Sequence, residues 1–310
     1  MGYSVNFFDG LGGQLSTSTV PPAYQQANSL MGEGTGNVLS LPWHLYMAYP
    51  FTAGRVVANI APTVFDRPVI SGDNVEAGPI QSESTSPRSA YIEGLLAHSQ
   101  EIRHFGTLVT PLGVQYVTLA KATDWTKYQW LNHQTDLALV LDTPALEVWR
   151  NLDFAGVGMR VTDVVRVASV QDLISASNSP NSTNIATILV GGSGNLFHQT
   201  LRDARSSQHI VNVKAPPTVT EVSPVAYAIA PGHAGWVEVS APYQKGWSLG
   251  GRSALSTSQG TLLVQVGAHG GVLRFTPWSV VRLSYFLSVL AIIGLVFASL
   301  WARRRRQYGS

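Results

Sequence analysis

The chain contains no cysteine. Disulfides, thiol nucleophiles and thiolate metal sites are excluded, and the fold must hold without covalent staples. Charge is scarce too: Asp, Glu, Lys and Arg make up 12% of residues, about half the usual share of a soluble domain. The net charge is +2, and Arg303 to Arg306 supply four consecutive positive charges. Without them 16 basic residues face 18 acidic ones, so composition argues against nucleic acid as a partner. No G-x-S-x-G nucleophile elbow occurs. Gly191-Gly192-Ser193-Gly194 lacks the lysine of a phosphate-binding loop and reads as a flexible turn. The eight histidines, with His98 and His104 six apart and the rest scattered, show no metal-ligand spacing. Neither a metal nor a cofactor is expected.

What the chain does have is one long uncharged apolar run, Leu283 to Ala302. Its 20 residues match a bilayer core of ~30 Å at ~1.5 Å per helical residue. Tyr285 and Trp301 stand near its ends, where aromatic anchors prefer to lie. The arginines that follow predict a cytoplasmic tail over 303–310, hence a body outside the plasma membrane. Residues Met1 to Gly10 have neither the basic nor the apolar region of a signal peptide. Nothing else before Leu283 is long and apolar enough to span. The expectation is a piece of a polytopic protein whose earlier helices carry the body across; the alternative is a single-pass protein with a cytosolic body.

Residues 1–36 are rich in Gly and Pro and form an irregular segment, with a short helix predicted from Pro22 to Met31. Val38 to Trp43 reads as a buried strand stopped by Pro42. Residues 50–90 read as mostly irregular, with five prolines. A helix is predicted over Ser89 to His104, capped by Ser89 and Glu93. A strand at Gln115–Ala120, a helical turn at Trp125–His133, a hairpin of Leu137–Leu141 with Leu146–Trp149, a strand at Met159–Val167 and a helix at Val170–Ser177 follow. Residues 37–180 are thus a mixed α+β domain. Ser177 to Gly194 reads as a linker. Beyond it, short strands at His209–Val213, Val219–Val222, Ala226–Ala230, Gly235–Ser240, Thr261–Val266 and Val272–Phe275 predict a β-sandwich over 195–278, next to the membrane helix at 283–302.

Two groups of residues carry candidate chemistry. Arg67, Asp73, Asn74 and Glu76 form the densest polar cluster. Their oxygens suit a divalent cation or sugar hydroxyls, while an Asx turn at Gly72-Asp73-Asn74 with Arg67 paired to an acid is the plain structural reading. Tyr243 and Trp247 flank the turn Gln244-Lys245-Gly246 and are candidates for stacking on a carbohydrate. Trp236, alternating with Val237 and Val239, reads as core.

Two sets of sequence words carry a resemblance. The first runs from Leu41-Pro42-Trp43-His44-Leu45-Tyr46 through Pro50-Phe51-Thr52, Arg55 to Asn59, Arg67 to Ile70 and Gly72-Asp73-Asn74. It resembles the extracytoplasmic part of actinobacterial GT-C-type membrane glycosyltransferases, similar to arabinofuranosyltransferases of cell-wall assembly. The second runs through Gly113 to Val117, Ser223-Pro224, Gly235-Trp236, Pro242 to Trp247 and Phe275 to Ser279. It looks like the C-terminal end of YfhO-like multispanning proteins. The resemblance implies an outer C-terminal region that binds or positions a glycan or polyprenyl-linked sugar. Such enzymes carry their catalytic acid in an outer loop of an N-terminal helix bundle, so no catalytic residue transfers to this chain. A non-catalytic binding or scaffolding role in envelope polysaccharide assembly is expected, alongside a membrane-anchored, metal-assisted hydrolase built on Asp73 and Glu76.

Overall fold

A computed structural model describes residues 17–74, 76–77, 80–81, 86–161, 163–167, 169–178, 185–189 and 219–307. The predicted strand at His209–Val213 lies outside them, as do most of the glycine-rich stretch before it and the last residues of the basic tail.

Helix α1 (Pro22–Met31) begins on a proline whose missing N–H would have had no helical partner. Strand β1 (Asn37–Leu41) follows and ends at a cis Leu41–Pro42 bond. A small hairpin, β2 (Tyr46–Ala48) with β3 (Val56–Ala58), leads to the one-turn helix α2 (Ala61–Val64) and to β4 (Val69–Ile70). After a second small hairpin, β5 (Glu76–Ala77) with β6 (Ile80–Gln81), comes helix α3 (Pro87–Ala97). Its cap is Ser86, whose hydroxyl accepts from the Ser89 amide at 3.1 Å. The predicted cap at Ser89 is therefore one turn late, because Pro87 takes the first helical position. The helix also stops at Ala97; a separate 3₁₀ turn, Ser99–Glu101, fills the rest of the predicted span.

Helix α4 (Phe105–Val109), β7 (Val114–Ala120), a 3₁₀ segment (Trp125–His133) and the hairpin β8 (Leu137–Asp142) with β9 (Leu146–Asn151) complete a five-stranded mixed sheet. Its order is β4-β1-β7-β9-β8, with β1 parallel to both β4 and β7. Side chains leave the two faces alternately. Val38, Tyr116, Leu146 and Val148 point to a core shared with α1 and α2, containing Tyr24, Ala27, Met31 and Phe65. Leu39, Leu41, Val117, Leu119 and Trp149 point to the opposite core, with Tyr91, Ile92 and Leu95 of α3 and Phe105 of α4. The sheet is buried on both faces, which is why β1 and β7 read as nearly continuous apolar runs.

The stretch predicted as one strand over Met159–Val167 divides into β10 (Gly158–Val161) and β11 (Asp163–Val167). They enter different sheets: β10 pairs with β15 (Gly235–Pro242), and β11 pairs in parallel with β12 (Ile185–Leu189) across helix α5 (Val170–Ser177). Strand β12 lies inside the stretch that composition marked as a linker.

The remaining strands are β13 (Val219–Ser223), β14 (Ala226–Ile229), β16 (Trp247–Leu249), β17 (Arg252–Ser253), β18 (Leu255–Ser256), β19 (Thr261–Val266) and β20 (Gly271–Phe275). They form two antiparallel sheets, β10-β15-β19-β18 and β13-β14-β20-β16-β17. Val237, Val239, Leu262 and Val264 of the first share a core with Tyr227, Ile229, Trp247 and Leu273 of the second, which makes a β-sandwich. The chain is thus α+β with a β-rich region before its last helix. That helix, α6 (Pro277–Gln307), is strongly apolar over Pro277–Phe297 apart from Arg282, and its apolar residues are exposed. By length and composition it can cross a membrane.

The mixed layer and the sandwich meet through polar contacts. Arg88 Nη2 donates to the Ser240 carbonyl at 2.6 Å. Gly260, at φ +71°, lies so close to α3 that a Cβ there would be 2.8 Å from the Arg88 amide nitrogen. Beside this contact Glu238 of β15 is 1% exposed and accepts from Thr261 Oγ1 at 2.5 Å. Burial pushes its carboxyl up to about 7, against the hydroxyls of Thr261 and Thr257 that pull it down.

Candidate functional site at the ends of three parallel strands

In a parallel sheet the loops at the carboxyl ends of neighbouring strands create a crevice where they leave toward opposite faces. Here the chain leaves β1 toward the α2 face, while from β4 and β7 it proceeds to α3 and the Trp125–His133 segment on the other. The polar residues of the three departing loops meet at this edge.

His44, three residues after β1, has Nε2 3.0 Å from Asp124 Oδ1, four residues after β7. Lys127 Nζ sits 3.1 Å from the other carboxylate oxygen. Burial raises the Asp124 pKa, but the hydrogen bonds and charges of His44 and Lys127 outweigh it and hold the carboxyl below its ordinary value. From the β4 side, Asn74 Nδ2 donates to Glu93 Oε1 of α3. The same oxygen accepts from Trp43 Nε1 at 3.4 Å. Asn74 Oδ1 is buried without a hydrogen-bond partner among the described residues.

Side chains hold the loop backbone in place. Tyr128 Oη accepts from the Trp43 amide at 2.9 Å, and Asn59 Nδ2 donates to the His44 carbonyl at 3.4 Å. Gly72 lets the β4 loop touch the β1 loop: a Cβ there would lie 2.9 Å from the His44 amide nitrogen. Among the described residues no group of three His, Asp or Glu side chains is arranged to hold a metal ion. The polar side chains of these loops bond to one another across the strand ends.

The four residues of the predicted polar cluster separate. Arg67 is 7% exposed and turned the other way. Its guanidinium donates to the carbonyls of Met31, Gly32, Glu33 and Gly36 and to Gln115 Oε1, at 2.8 to 3.2 Å, and lies over the Tyr116 ring. It closes the carbonyl end of α1 and the loop after it, with no acid partner among the described residues. Asp73 and Asn74 stay at the strand-end cleft, and the side chain of Glu76 lies outside the described residues. His44, Glu93 and Asp124 join them; in sequence they lie up to 80 residues apart, and only the parallel pairing of β1 with β7 brings them together.

The two aromatic candidates also part. Trp247 is 5% exposed, between Tyr227 and Phe275 at ring-centroid distances of 5.7 and 5.5 Å. An indole enclosed this way has no open face for a sugar. Tyr243 is half-buried against the same core, with its amide donating to the Gly260 carbonyl at 2.8 Å. Trp236 is half-buried against Met159, Val161 and Leu263.

No family model matches the chain, and no curated protein matches it. One solved structure resembles it. It is a cryo-EM structure of the arabinofuranosyltransferase AftD from mycobacteria, 11% identical, with a TM-score of 0.41. The likeness covers 56% of this chain and 16% of that one. So distant a likeness carries no functional conclusion.

Proposed function

We propose that this chain is a membrane-anchored, non-catalytic module that holds a glycan at the cleft formed by His44, Asn74, Glu93 and Asp124. It serves a GT-C-like glycosyltransferase system of envelope polysaccharide assembly, with its body outside the plasma membrane and its arginine tail inside. Membrane helices supplied from elsewhere are its partners. The observation that carries the reading is the convergence of three strand-end loops on planar polar side chains, one of them with a buried, unpartnered oxygen at Asn74. Planar donors and acceptors of this kind are the groups that can hold sugar hydroxyls. The sidedness rests on the positive charges after the apolar run.

An array of arabinose-, galactose- and mannose-containing oligosaccharides, probed with the full chain in nanodiscs, tests the assignment. Signal on one sugar class that fades in Asn74→Ala supports it. Signal that is absent throughout, or undiminished in Asn74→Ala, refutes it.

A further inference from the structure

A second recess lies far from this cleft along the chain, where the sandwich meets α6. The outer face of the sheet β13-β14-β20-β16-β17 and the first turns of α6 line an open groove of about 610 Å³. An adjoining groove of about 560 Å³ shares Arg274 with it. The apolar lining of the first is exposed: Val222 is 63%, Val272 39% and Trp278 43% exposed. The charged side chains lining the two grooves are Arg252, Arg274 and Arg282; neither lining contains a carboxylate. Arg274 and Arg282 make no ion pair among the described residues, whereas Arg252 donates to Gln265 Oε1 at 3.0 Å.

Depth along the helix identifies the occupant. Arg282 immediately precedes the uncharged run that begins at Leu283. It stands about 7 Å along the axis from the start of α6, at ~1.5 Å per residue. With the apolar run in the hydrocarbon, Arg274, Trp278 and Arg282 come to the level of lipid headgroups. The amino end of a long helix adds its partial positive charge at the same place.

We propose that this recess seats the phosphate headgroup of an anionic membrane lipid, held by Arg274 and Arg282 with an acyl chain against Val222, Val272 and Trp278. The inference stands apart from the glycan cleft and survives its failure.

The full chain is reconstituted in vesicles of equal parts phosphatidylcholine and phosphatidylglycerol, extracted in mild detergent, and its retained lipids are quantified by mass spectrometry. Enrichment of phosphatidylglycerol is expected, reduced about twenty-five-fold in the R274Q/R282Q variant, since each basic side chain near the surface contributes roughly a factor of five. Arg282 is exposed on the helix, so R282Q alone keeps the test decisive if the double variant does not fold; it should lose part of the enrichment. A variant with Arg303 to Arg306 changed to Gln should keep the enrichment. Inorganic phosphate in the wash should not displace the lipid; displacement would mean a free-phosphate site and overturn the assignment. Equal enrichment in wild type, R282Q and R274Q/R282Q, or loss only in the tail variant, would also overturn it.

Discussion

His44 Nε2 and Asp124 Oδ1 are 3.0 Å apart, joining the loops that follow two neighbouring parallel strands. The contact holds the imidazole at the strand ends and, with Lys127 and against burial, keeps the Asp124 carboxyl below its ordinary pKa. A depressed carboxyl stabilises the fold above its unfolded pKa, near 3.8, and that contribution disappears as pH falls through the lower folded value. Both side chains are partly exposed, so Asp124→Asn should cost no more than about 1 kcal/mol. Acid unfolding curves of the two proteins should converge at the lowest pH; curves separated by a constant amount would contradict the linkage.

Glu238 predicts the opposite trend. Its folded pKa, about 7, lies above the ordinary 4.5, so the folded state binds a proton that the unfolded state has released. Stability should fall as pH rises from about 4.5 to about 7 and then level off, by roughly 3 kcal/mol for a shift of this size. Thermal melts across that range should show the decline in the wild type and lose most of it in Glu238→Gln. A decline of the same size in both would assign the effect to another group.

Arg67 should matter for folding and not for ligand. Removing it leaves the buried carbonyls of Met31 and Gly36, and the partly buried ones of Gly32 and Glu33, short of a donor. Arg67→Ala should lower stability by on the order of 3 kcal/mol. Arg67→Lys should recover only part, because an ammonium cannot reproduce the planar fork. Urea titration checks both; an Arg67→Ala midpoint equal to the wild type would contradict the capping role.

Trp247 and Tyr243 give a paired test of the sandwich. Trp247→Ala opens a cavity between Tyr227 and Phe275 and should cost about 3–5 kcal/mol. Half-buried Tyr243 should cost clearly less. Calorimetric melts that rank Tyr243→Ala as the more damaging would mean the core is misassigned.

Much of this was legible in the residues themselves. Proline at the start of α1, the alternating strands from Val219 onward and the uncharged run after Arg282 are local signals, and the structure follows them. The division of Met159–Val167 was hidden, because Met159, Val161, Val165 and Val167 keep one alternating apolar pattern across it and only the partner strands differ. The cleft was half visible. Asp73 and Asn74 stood out as a turn, but His44, Glu93 and Asp124 are ordinary polar residues until the order β4-β1-β7 sets their loops side by side. Arg67 looked like a partner of nearby acids because sequence shows proximity and not direction; its side chain turns toward backbone carbonyls instead.

The most direct test of glycan holding is isothermal titration of the oligosaccharide selected by the array into the full chain in nanodiscs, wild type against His44→Gln. Loss of the His44–Asp124 contact should weaken binding about tenfold, the effect of one well-placed polar group at about 1.4 kcal/mol, while the melting temperature shifts little. Equal affinity in the two proteins would contradict the account.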